Sequence, residues 1–169
     1  MDFLLKEKKL MFYSCIILFT SIAGGAFLQT FWLRGVFETI QLDKVELNNW
    51  WFYFSNNALT CTLIILGIFV YATPTIFLLI FNGIMIGIAI VVASDGGATI
   101  WRIIGALLPH GILEIPAIIM AGMIGLHGFT FYRKEKGKGY YIKLIKSSGL
   151  VLLLLLFASF VETYISLHI

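Results

Sequence analysis

Apolar residues recur along this chain in stretches long enough to cross a lipid bilayer. About 30 Å of hydrocarbon takes roughly 20 helical residues. Five stretches meet that length: 10–33, 50–72, 75–93, 109–132 and 148–168. The first has no charge between Leu10 and Leu33, and the last is built on the run "LVLLLLLF". The second opens with Trp50, Trp51, Phe52, Tyr53 and Phe54, where an interfacial aromatic belt belongs. The pattern predicts an all-α, polytopic transmembrane helical bundle with about five spans.

What lies between the spans is short: residues 34–49, 94–108 and 133–147. None of these can fold a catalytic domain, bind a nucleotide or read nucleic acid, so residues 1–169 are expected to form one integral membrane domain. The segment "TIWRIIGALL", 99–108, is too apolar for a solvated loop and too short to cross. It follows the flexible turn "SDGGA" and ends at Pro109, a residue suited to the first turn of a new helix. Two readings stand side by side. One is a re-entrant half-helix, tolerated at membrane depth only when shielded by protein or lining a wet cavity. The other is an interfacial helix with Trp101 and Arg102 at the headgroups. At the amino terminus, "SIAGGA" (21–26) imitates a secretory cleavage site, but the apolar stretch continues to Leu33, as a retained span would.

Composition agrees with the pattern. The chain is 60% hydrophobic and 12% charged, with a mean hydropathy of +0.96, more apolar surface than a soluble domain of this length can cover. Charge adds an orientation. Lys6, Lys8 and Lys9 precede the first span, and Arg133, Lys134, Lys136, Lys138, Lys143 and Lys146 follow the fourth, so nine of the twelve basic residues fall on one side. The positive-inside bias makes that side cytoplasmic. The expectation is a multi-pass cell-membrane protein with its N-terminus cytoplasmic and its C-terminus extracytoplasmic. Arg34, Lys44 and Arg102 are left outside, diluted by Glu38, Asp43, Glu46 and Asp95. Cys15 and Cys61 both fall inside spans, as buried thiols rather than a disulfide framework.

Candidate chemistry sits in "ALLPHGILEIPAIIMAG", 106–122, where His110 and Glu114 share one helix face. Pro109, Gly111 and Pro116 mark an expected helix break around them. Asn82 lies in the middle of the third span, and Asn56 and Asn57 near the outer end of the second. Ionisable groups inside a membrane are costly and point to function by default. Four readings are open for the pair: an interhelical polar clamp completed by Asn57 or Asn82, acid–base chemistry on a peptide bond by His110 and Glu114, a proton or substrate pathway, and a metal site. The last needs further ligands, and His127 is roughly 25 Å away along the helix, so neither a metal nor a cofactor is expected. Glu162 reads as a snorkelling interfacial carboxylate. Gly83 and Gly87, Ser21 and Gly25, and Ala121 and Gly125 are small-residue pairs that let helices approach closely. They suit packing within the chain and are compatible with a homodimer.

The stretch "LLPHGILEIPAIIMAGMIGL", with "NN" at Asn56–Asn57 and "FNGIMIG" at 81–87 upstream in matching order and spacing, resembles the stage II sporulation protein M-like membrane family. The resemblance covers roughly residues 56–126. It implies an all-helical fold with a polar core of Asn56, Asn57, Asn82, His110 and Glu114, and it supplies no chemistry. The sporulation branch implies a membrane scaffold that gathers cell-wall hydrolases during engulfment. Compact members resemble components of circular-bacteriocin gene clusters, which implies maturation, export or self-immunity of a secreted peptide. The short first outer loop of this chain favours the compact branch. Implied partners are the lipid bilayer, other membrane proteins of the same complex and an apolar peptide substrate, with no nucleic acid.

Overall fold

A computed structural model describes residues 2–33, 50–97, 100–133 and 137–166, apart from the side chains of 2–6, 100, 102–110, 162 and 165–166. The expectations attached to Arg34, Lys44, Lys134 and Lys136, and to the side chains of Lys6, Arg102, Pro109, His110 and Glu162, lie outside the described residues.

The chain is all-α, with no strand among the described residues. Its helices are α1 (Asp2–Phe31), α2 (Trp50–Leu66), α3 (Thr73–Asp95), α4 (Ile100–Leu126), the single turn α5 (Gly128–Phe131) and α6 (Lys138–Ser166), with a 3₁₀ turn at Gly67–Phe69. Among the described residues, five helices are long and apolar enough to cross a membrane: Glu7–Phe31, Trp50–Phe69, Thr73–Asp95, Gly111–Phe131 and Lys138–Val161.

Two boundaries differ from the sequence pattern. The backbone of α4 runs as one helix from Ile100 through Pro109, Gly111 and Pro116 to Leu126, so the expected break is absent. A proline removes one backbone hydrogen bond, whereas a full break in hydrocarbon would strand several groups that water cannot reach. Residues 100–108 are thus the amino-terminal extension of the fourth span, helical as both earlier readings required but joined to it. The last helix starts at Lys138, about ten residues before the apolar run that announced it. Lysines delay the hydropathy signal without ending the helix, because their long stems let the charges reach water.

Glycines bring α1 and α3 into close contact. A side chain at Gly83 would meet Leu18, Ser21 and Ile22, and one at Gly87 would meet Ile22 and Ala26, largely through backbone atoms. Gly25 faces the backbone of Ile84 in the same way. Numbers rise together on the two sides of this seam, so α1 and α3 run parallel with backbones nearly touching. Helix α4 fills the centre, with Ala117, Ala121 and Ile124 buried against Leu18 of α1, Ile64 of α2, Leu79 of α3 and Leu155 of α6.

The α2–α3 connection is tight. Tyr71 and Ala72 take left-handed φ values of 51° and 61°, and Pro74 then starts α3. Buried Thr75 donates its hydroxyl to the Ile64 carbonyl at 2.7 Å. That carbonyl belongs to the last turn of α2, where intrahelical donors run out. Thr75→Val, which keeps the branched shape and removes only the hydroxyl, should lower stability by about 1 kcal/mol in an SDS-unfolding titration. Thr75→Leu, forced against Gly67 and Gly125, should be worse by roughly 1–3 kcal/mol.

Candidate functional site

Buried positions on α2 fall at Cys61 and Ile64, a helical stripe that reaches Asn57 one turn earlier. On α4 the stripe is Ala117, Ala121 and Ile124, and one turn earlier lies Glu114. The same α2–α4 contact is made lower down, where Gly125 meets the Ile64 backbone. Two parallel stripes that meet there also meet two to three turns higher. The Asn57 side-chain amide donates to Glu114 Oε1, and both side chains are half-buried.

The other polar residues are placed differently. Asn56, next to Asn57, is exposed, and its backbone carbonyl accepts the Thr60 hydroxyl at 3.1 Å. Asn82 is half-buried on α3 and donates its amide to the Leu78 carbonyl of its own helix at 2.7 Å. Gly111 is half-buried and Pro116 exposed. His110 is helical, but its side chain is among those not described. Of these residues, Asn57 and Glu114 join two helices directly. Chemically the pair can tie two helices together and hold a carboxyl at a fixed place inside the bundle. Among the described residues, no group of three His, Cys, Asp or Glu side chains is placed to hold a metal ion.

A family model for stage II sporulation protein M matches residues 10–167. This chain belongs to the stage II sporulation protein M family. The match runs from the first span to the end of α6, well beyond the motif around Pro109–Glu114 that carried the resemblance. Together with the five apolar helices, it makes the protein a membrane protein. An uncharacterized protein of Methanocaldococcus jannaschii is 28% identical over 120 residues, 66% of this chain and 67% of that relative. No solved structure matches the chain significantly.

A second polar group in this family member has no counterpart in the sequence reading. Glu7, His127, Tyr140, Lys143 and Ser147 line one cavity. The hydropathy pattern places these lysines between spans, which hides that α6 presents Tyr140, Lys143 and Ser147 on one helical face at spacings of three and four. That spacing becomes a signal only on a helix that begins at Lys138.

Proposed function

We propose that this family member is a non-catalytic component of a membrane complex that matures, exports or gives immunity to a secreted, apolar peptide of the circular-bacteriocin type. The observation that carries the non-catalytic part is the Asn57–Glu114 bond. A carboxyl held by an amide of the neighbouring helix ties α2 to α4, as buried polar pairs do between membrane helices, which supports an assembly role. Large side chains such as Phe19, Phe77, Phe81 and Phe157 stand exposed along the spans, a surface that suits lipid tails and is compatible with an apolar partner. Other membrane proteins of the complex, or a second copy of the chain, are the further partners this reading takes. A sporulation scaffold that recruits cell-wall hydrolases is the second reading, favoured by the family's own description.

Deleting the gene in its host separates them. Loss of secreted peptide activity, or of resistance to the strain's own culture supernatant, with normal engulfment supports the first. An engulfment defect with unchanged peptide output refutes it in favour of the second.

For orientation we propose a cytoplasmic N-terminus and an extracytoplasmic C-terminus. Glu7 and Lys143 line the same cavity, which supports placing both lysine-rich segments at one end of the bundle. Trp50 stacks on Phe160 with ring centroids 4.9 Å apart, so the start of α2 lies beside the end of α6. In a Cys15→Ala, Cys61→Ala background, Lys44→Cys should react with an impermeant thiol reagent on intact cells. Lys6→Cys and Lys138→Cys should react only after lysis. Labelling of position 138 from outside would reverse the assignment.

A further inference from the structure

The two neighbouring asparagines of α2 point different ways. Asn57 turns inward to Glu114, whereas Asn56 is exposed on the outer side of the helix. Of the four side-chain carboxamides in the described spans, Gln29 is buried, Asn57 and Asn82 are half-buried, and Asn56 alone is exposed. Exposed hydroxyls at Thr20, Thr30 and Ser55 are satisfied by carbonyls of their own helices at 2.6, 2.8 and 3.0 Å. The Asn56 carboxamide makes no hydrogen bond among the described residues, although its backbone carbonyl accepts Thr60.

Depth makes this costly. The span Trp50–Phe69 has 20 residues, about 30 Å at roughly 1.5 Å per residue, no more than the hydrocarbon it must cross. Asn56 therefore lies about 9 Å in from Trp50, too deep for its short side chain to reach the headgroups. A polar side chain at such depth faces protein or water rather than lipid. Phe52, Leu59, Leu63 and Leu66 surround it at helical spacing and are also exposed, while α2 packs on α3, α4 and α6 with its opposite side. Phe77 on α3 and Phe157 on α6 mark outer faces without an exposed amide. The α2 face carries no charge, so a charged partner would be left unpaired there. A carboxamide both donates and accepts, so two of them related by a two-fold axis satisfy each other.

We propose that a second copy of this chain docks on the outer face of α2. The two α2 helices pack in parallel about an axis along the membrane normal. Each Asn56 amide donates to the partner's Asn56, and Leu59 and Leu63 close the contact around them. Hydrogen bonds of this kind favour association of helices in lipid. The inference gives a surface to one partner that the proposed function takes, and it rests on Asn56, whichever complex the protein serves.

Disulfide cross-linking between two differently tagged full-length copies, co-expressed in one membrane in a Cys15→Ala, Cys61→Ala background, tests it. Leu59→Cys and Leu63→Cys should each join the two tags under mild oxidation. Phe77→Cys and Phe157→Cys, equally exposed on α3 and α6, should not. In purified protein diluted through detergent micelles, Asn56→Ala should raise the dissociation constant of the dimer about tenfold, as loss of two reciprocal hydrogen bonds implies. Asn56→Gln keeps the carboxamide and should hold much of the affinity. Position 56 is exposed and alanine favours a helix, so Asn56→Ala should fold, as membrane abundance and helical circular dichroism would confirm. Absence of cross-links between the tags, or capture of another protein in their place, overturns the second copy. Equal cross-linking at Phe77→Cys and Phe157→Cys overturns the face, and a dimer indifferent to Asn56→Ala overturns the part given to its amide. Peptide output and engulfment, which decide the proposed function, do not enter these readouts.

Discussion

Gly87→Ile is expected to remove most of the folded protein from the membrane. The added side chain would run into the Ile22 carbonyl and the Ala26 amide of α1. Both are backbone atoms, so no rotamer change relieves the clash and the two helices must separate. Overpacking where neighbours can adjust costs about 1–3 kcal/mol. Here the whole α1–α3 seam opens, including the approaches at Gly25 and Gly83, so the loss should reach or exceed the top of that range. Against a total stability of roughly 5–15 kcal/mol, that is enough for quality control to clear much of the protein. Gly24→Ala is the control. Nothing lies within 4 Å of a side chain there, and alanine favours a helix over glycine by about 1 kcal/mol. Membrane abundance and the SDS-unfolding midpoint should fall sharply for Gly87→Ile and hold or rise for Gly24→Ala. Equal behaviour of the two would mean that α1 and α3 do not pack as described.

Glu114→Gln should leave the protein abundant and working. Its side-chain oxygen can still accept from Asn57, so the interhelical hydrogen bond is kept. Asn57→Ala should be the damaging change, since it removes the amide donor from a half-buried carboxyl and with it the hydrogen bond that joins α2 to α4, at about 1–3 kcal/mol. The double variant Asn57→Ala, Glu114→Ala should lose less than the two single losses added together, which is the signature of two groups that interact. Acid–base catalysis by Glu114 and His110 predicts the reverse order of harm. A general acid or base contributes on the order of 10²–10⁴-fold, so Glu114→Gln would abolish mature peptide while the membrane blot stayed normal. That outcome would refute the non-catalytic reading. Normal peptide output from a well-expressed Glu114→Gln would refute the catalytic one.

The sequence by itself determined the five spans, the family and the separation of a basic end from the rest. Hydrocarbon makes these legible, because a crossing segment must satisfy its whole backbone internally and be apolar over a fixed length. It also brought forward Asn57, Asn82, His110 and Glu114 as polar residues inside spans, without choosing among their pairings. That choice belongs to tertiary structure. A helix that is apolar all round carries little record of which face meets which neighbour, so the rotation of α2 and α4 that joins Asn57 to Glu114, and the rotation of α3 that turns Asn82 onto its own helix, come from packing. The same holds for the parallel α1–α3 seam: G-x-x-x-G at Gly83 and Gly87 announces a close approach but not its partner, and only the order of helices in space supplies Ile22 and Ala26. The start of α6 and the continuity of α4 escaped the pattern for a related reason. Hydropathy marks where lipid begins and ends, whereas a helix ends where its backbone hydrogen bonds do, and at Lys138 and Pro109 those two limits differ.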